Sequence, residues 1–197
     1  MKKYRRVHAD IDLDAVLFNF DQMSKNIPNG TKIMAVVKTD AYGHGAVPIA
    51  SFIEPCDYLW GFATATVDEA VELRQAGIEK PILILGYTFP ECYTHIVKHE
   101  IHQTIFSLDM AKALSKEAVR QNKKAYVHIK LDTGMHRLGF DPLNDIDEVI
   151  DRLTHQNAII PRSVFSHFVG SDSDDFDYFS ASQFDKFQQA ANKLQSA

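Results

Sequence analysis

Cysteine is nearly absent from this 197-residue chain: only Cys56 and Cys92 occur, far apart and outside any metal-ligand spacing. That argues against a disulfide framework and for a reducing cytosol. Excess positive charge is lacking as well. The net charge of −5 offers no basic footprint for a nucleic acid or an anionic membrane. No apolar run is long enough to span a bilayer, and the basic start MKKYRR has no long apolar stretch behind it, as a signal peptide would need. Three motifs are missing too: G-x-G-x-x-G after the first apolar run, G-x-S-x-G, and G-x-x-x-x-G-K. Their absence weighs against a Rossmann dinucleotide site, a serine hydrolase and a P-loop enzyme. The expectation is a soluble cytoplasmic protein whose partner is a small molecule.

What is present is an ordinary globular balance, 45% hydrophobic and 24% charged, in a length that supports one sizeable core. Short apolar runs alternate with amphipathic stretches. The runs are 32–38, 57–63, 81–86, 102–106, 125–131 and 162–168. Their near-continuous Val, Ile, Phe and Tyr content predicts strands buried on both faces.

The intervening stretches predict helices. Asp12 can cap LDAVLFNFDQMSKNI, with Leu13, Val16, Leu17 and Phe20 on one face. Thr66 can cap VDEAVELRQA, with Glu69 completing a capping box and Gly77 ending the helix. Further helices are predicted from Ser107, in DIDEVIDRLTHQ and in FSASQFDKFQQAANKLQ. Six β-α units in succession mean a parallel α/β sheet with helices outside, as an open doubly wound sheet or a (β/α)8 barrel. Periodicity does not choose between them, but in both the chemistry collects at the C-terminal strand ends.

The first such end is Val36-Val37-Lys38, followed by Thr39-Asp40-Ala41-Tyr42-Gly43-His44-Gly45. An amine must be neutral to attack a carbonyl, and partial desolvation at a sheet mouth favours that form, so Lys38 is a candidate Schiff-base lysine. Tyr42 is placed to meet an anionic group such as a phosphate, and the glycines permit close backbone approach to a ligand. The fifth end, Lys130-Leu131-Asp132-Thr133-Gly134-Met135-His136-Arg137-Leu138-Gly139, puts three ionisable groups near one rim. Lys130 and Asp132 share a side by strand parity, and the planar fork of Arg137 suits a substrate carboxylate. The sixth end carries His167 in FSHF.

Two other clusters carry less. His95, His99 and His102 fall on a predicted helix and its exit and are expected at the surface, without the partners a zinc site requires. The acidic run SDSDDFDYF lacks calcium-loop spacing and is expected to be a solvated loop with a helix cap. No metal site is expected.

The pair AVVK-x-x-AYGHG and K-x-DTGM-x-RLG, with DIDLDAVLFNF, PILILG, FSHF and DYFSASQF in the same order, resembles the alanine racemase family across essentially the whole chain. The resemblance implies an N-terminal (β/α)8 barrel, a β-rich C-terminal domain and a homodimer. It also implies pyridoxal 5'-phosphate as cofactor and interconversion of L- and D-alanine, which supplies D-alanine for peptidoglycan. Lys38 then matches the lysine bonded to the cofactor and one of two catalytic bases. Tyr42 matches the phosphate contact, and Arg137 a contact to both the substrate carboxylate and the cofactor phenolic oxygen. Lys130 matches a lysine often carbamylated, which braces that arginine, and His167 a histidine beside the cofactor ring. Racemisation also requires a second base on the opposite face, in the family a tyrosine from the partner's C-terminal domain.

The chain is short for this pattern. A (β/α)8 barrel takes about 250 residues, and only six units can be counted. Residues 1–197 are therefore expected to be an incomplete N-terminal cofactor-binding barrel, without the C-terminal domain and inactive by themselves. Racemisation of another small amino acid such as serine, or binding of the cofactor without turnover, are the competing expectations.

Overall fold

The computed structural model describes residues 7–197; the basic run at residues 1–6 lies outside them. The chain divides into two compact units, residues 1–82 and 83–197.

In the first unit, helix α1 (Leu13–Lys25) starts where Asp12 accepts the Ala15 amide at 3.0 Å. This side-chain acceptor meets one of the amides that a helix N-terminus leaves unpaired. Leu13, Val16, Leu17 and Phe20 form its sheltered face. Strand β1 (Ile33–Val36) pairs in parallel with β2 (Leu59–Thr64). The Val37 amide continues that ladder to the Ala63 carbonyl at 2.9 Å. A short turn, α2 (Lys38–Gly43), and the apolar helix α3 (Ala46–Ile53) connect the strands, and α4 (Val67–Gln75) follows β2. The capping box of Thr66 and Glu69 is formed, and Gly77, at φ 95°, ends the helix in the left-handed conformation a side chain would resist. Ile49, Ile53, Phe62, Ala63, Ala70 and Leu73 make up the core, which removes their apolar surface from water.

Strand β3 (Ile82–Ile84) begins at the boundary. In the second unit it pairs in parallel with β4 (His102–Ile105), β4 with β5 (Ala125–Lys130) and β5 with β6 (Ile159–Phe165). Helices α5 (Tyr93–Lys98), α6 (Leu108–Arg120), α7 (Ile146–Thr154) and α8 (Asp177–Gln195) provide the outer layer. Ser107 caps α6 as expected, accepting the Met110 amide at 3.3 Å.

Three expectations need correction. The sixth strand starts at Ile159, not at residue 162, and runs through Pro161. Neither it nor β1 is buried on both faces, because Pro161, Arg162 and Ser163 on the one and Val36 on the other are exposed. A proline lacks the amide a central strand needs but is tolerated where that position faces solvent. Third, His102 is not a surface residue. It lies on β4 and is buried, whereas His95 on α5 is exposed and stacks on half-buried His99 with ring centroids 6.5 Å apart.

Candidate active site

Among the described residues, the backbone after Lys38 is the most unusual. Thr39, Asp40, Ala41 and Tyr42 all have φ between 50° and 57°, so four consecutive non-glycine residues form a left-handed turn. Each such residue costs roughly 1–2 kcal/mol relative to its right-handed alternative. Hydrogen bonds at both ends hold the turn against that cost. At its start the Thr39 amide donates to Glu69 Oε1 at 2.8 Å. At its end Asp40 Oδ1 accepts the Ala46 amide at 2.7 Å, and the Asp40 carbonyl accepts the Gly45 amide at 2.9 Å. Sequence reasoning assigned Glu69 to the cap of α4; its second role, through the other carboxylate oxygen, was not visible there.

Lys38 is half-buried at the head of this turn, with Nζ 5.9 Å from the centroid of the Tyr42 ring. Among the described residues no carboxylate forms an ion pair with it. Tyr42 is 61% exposed, so its phenol is open to a ligand. The first unit thus brings Lys38 and Tyr42 together.

In the second unit the rim forms around the end of β5. Lys130 is buried, with Nζ 5.0 Å from the Phe165 ring centroid. Burial pushes its amine down to about 8, the nearby charge of Arg137 adds to this, and Asp132 opposes it. Asp132 lies past the strand, and its Oδ1 accepts the amides of Gly134 and His136 at 3.0 and 2.9 Å. Burial alone would raise this carboxyl, but those two amides together with the charges of His136 and Lys130 hold it below its ordinary value. Its task is to shape the loop that carries Arg137. The far side of that loop is stapled back, with the Asp132 amide donating to Phe140 O at 2.9 Å and the Phe140 amide to Lys130 O at 2.8 Å. Arg137 is exposed at the loop's outer turn.

His167 follows β6 and is exposed, while its carbonyl is fixed by Gln183. Gln183, fully buried on α8, donates to His167 O and to Thr133 Oγ1, both at 3.0 Å, and accepts the Val169 amide at 3.0 Å. The chain of donors runs on from Thr133 Oγ1 to Ser166 Oγ at 2.7 Å and from Ser166 to Leu131 O at 2.9 Å. The backbone segments that carry Lys130, Asp132, Arg137 and His167 are therefore tied into one hydrogen-bonded rim.

Below it lies a polar line that was not anticipated. His102 Nδ1 is 2.8 Å from His128 Nε2, and His128 Nδ1 is 2.6 Å from Ser163 Oγ. Burial, with the charge of Arg162, pushes His128 down to about 4, so the ring is neutral at physiological pH. The one available signal was parity, since His128 and Lys130 point to the same face of β5.

The family model for the alanine racemase N-terminal domain matches residues 11–197. Alanine racemase 1 of Caldanaerobacter subterraneus subsp. tengcongensis is 42% identical over 193 residues, which cover 97% of this chain and 49% of that protein. The solved structure of alanine racemase from Clostridium difficile 630 in complex with cycloserine superposes with a TM-score of 0.88 at 35% identity, covering 93% of this chain and 50% of that one. A histidine racemase from Leuconostoc mesenteroides subsp. sake superposes with a TM-score of 0.81 at 28% identity, covering 89% and 46%. The chain spans about half the length of the curated relatives it matches. Its parallel strands with flanking helices bear out the expected α/β barrel-type fold. On the strength of the matched domain and of these relatives, the chain belongs to the alanine racemase family.

Proposed function

We propose that the full-length protein is a pyridoxal 5'-phosphate-dependent alanine racemase that works as a homodimer in the cytoplasm and supplies D-alanine for peptidoglycan. Residues 1–197 are its N-terminal barrel domain, followed by a β-rich C-terminal domain. One observation carries this reading: the half-buried Lys38 amine, without a carboxylate partner among the described residues, stands at the head of a stiff left-handed turn beside an exposed tyrosine.

The residues present fit this cofactor. A primary amine free of an ion pair can bond to an aldehyde carbon, and a phenol open to solvent can donate to a phosphate. Once bound, the cofactor supplies a conjugated ring that spreads the charge left when the Cα proton is removed. The rest falls to the chain. Lys38 Nζ takes or returns a proton on one face of the substrate. Tyr42 would hold the phosphate. Arg137 would bind the substrate carboxylate through its planar fork and donate to the cofactor's phenolic oxygen. His167 would contact the ring. Carbamylation of Lys130 would replace its positive charge with a negative one and so brace Arg137, and the lowered amine supports that chemistry. The second base comes from the partner's C-terminal domain.

The test is borohydride reduction of the full-length protein with pyridoxal phosphate, followed by mass analysis and a racemisation assay on L-alanine. The expected result is one adduct on Lys38 and formation of D-alanine, with Lys38→Ala losing both the adduct and the yellow absorbance. Absorbance that survives this substitution rules out the lysine assignment.

The likeness to a histidine racemase favours a second reading, in which the same machinery acts on another amino acid. Side-by-side rates with L-alanine, L-serine and L-histidine separate the two.

A further inference from the structure

We propose that Glu69 is a positioning residue for Lys38. Its carboxylate clamps the Thr39 amide, holds the left-handed turn in place and so aims the Lys38 amine. This rests on the assignment of Lys38 as the cofactor-bearing lysine.

The two oxygens of Glu69 do different work. Oε2 accepts the Ala65 amide at 2.8 Å and the Thr66 amide at 3.3 Å, which completes the capping box of α4. Oε1 is not needed for that box and instead accepts the Thr39 amide at 2.8 Å. Thr39 is the first of the four left-handed residues and is bonded directly to Lys38. The Val37 carbonyl on the other side of Lys38 accepts the Ala41 amide at 2.9 Å, so the backbone of Lys38 is bracketed by fixed bonds. Without the clamp, Thr39 is the residue freest to relax toward right-handed geometry, and the relaxation would rotate the Lys38 side chain away.

A capping box accepts glutamine as readily as glutamate. A two-sided clamp does not, because glutamine has one acceptor oxygen and its amide group would face an N–H donor on the other side. Glu69→Gln therefore separates helix capping from positioning. Thr66→Ala is the converse variant, since it weakens the cap and leaves the Thr39 contact in place.

The experiment uses full-length protein stripped of cofactor and titrated with pyridoxal phosphate, with the borohydride-trapped Lys38 adduct measured by mass and thermal unfolding recorded in parallel. For Glu69→Gln, the titration midpoint should rise about tenfold, the scale of one lost charge-assisted hydrogen bond, with little change in the melting temperature. Thr66→Ala should melt earlier and titrate like wild type. Adding Thr39→Gly to Glu69→Gln should recover part of the affinity, because glycine adopts φ near 50° without strain. If Glu69→Gln does not fold, Glu69→Asp serves instead; it is too short to bridge both sets of amides and should show the same shift. The proposal is overturned if the Glu69 variants titrate like wild type, or if Thr66→Ala shifts the midpoint as far as they do. A wild-type protein that forms no adduct on Lys38 refutes the cofactor assignment itself, a result distinct from either of these.

Discussion

Gln183 Nε2 lies 3.0 Å from the Thr133 hydroxyl, a contact across 50 residues of sequence that ties helix α8 to the loop after β5. The same amide fixes the backbone of His167 and Val169 after β6. Two rim segments with candidate ligand-binding residues thus depend on one buried side chain. Gln183→Leu keeps much of the volume but strands the Val169 amide and the His167 carbonyl. The expected loss is about 2–6 kcal/mol, since each unsatisfied buried group costs about 1–3. Urea denaturation of the full-length protein checks it, and amide exchange at Val169 should accelerate. Unchanged exchange there would show that the rim does not rely on Gln183.

Gly139 closes the Arg137 loop at φ 145°, and a Cβ there would collide with the Asp132 amide nitrogen and lie 2.5 Å from the Leu131 carbonyl carbon. Both neighbours are backbone and cannot rotate away. Gly139→Ala should cost at least about 3 kcal/mol, from steric strain and an unfavourable φ together. The displaced Arg137 should raise KM for alanine in the full-length protein. Urea midpoints and alanine kinetics test this, and wild-type values for both would contradict the loop geometry.

His128 predicts an acid sensitivity of defined sign. Its imidazole takes a proton near the usual 6.5 when unfolded but only near about 4 when folded. Between those values the unfolded state binds more protons, so stability falls as the pH drops through that window and is flat above it. The full effect is about 3 kcal/mol, at 1.36 kcal/mol per pKa unit. Melting curves across the window should lose part of their pH slope in His128→Gln. An identical slope in both proteins would falsify the assignment.

Lys130 is expected to carry carbon dioxide. Burial and the charge of Arg137 hold its amine down to about 8, so its neutral form is far more populated at neutral pH than that of an ordinary lysine. The neutral amine adds to carbon dioxide with release of one proton, which gives a carbamate beside Arg137. Protein in labelled bicarbonate should show a carbamate carbon resonance that grows as the pH rises toward 8 and vanishes in Lys130→Ala. A resonance that survives the substitution places the modification elsewhere.

Much of the fold was legible along the chain because it is written in local terms. Asp12, Thr66 and Ser107 each sit one residue before a helix and accept an amide from its first turn. The strands within 32–38 and 125–131 are plain because apolar residues run together from Ile33 to Val37 and recur at every second position from Ala125 to Leu131. The sixth strand was misplaced because Pro161 reads as a breaker, and only an exposed position makes it admissible. The short helix α3 is harder to delimit along the chain, because it is apolar nearly all round and has no side-chain cap to announce it.

The sequence by itself determined the alternation of strands and helices, the chemical identity of Lys38, Tyr42, Lys130, Arg137 and His167, and through two paired motifs the family. Those features depend on residue type and spacing over a few positions. Tertiary structure alone decided what holds them in place. Glu69 meets Thr39 across 30 residues, Gln183 meets Thr133 across 50, and His102 meets His128 across 26. Hydrogen bonds act over about 3 Å, so which donor finds which acceptor depends on how parallel strands and their helices bring distant segments together, and no local pattern encodes that.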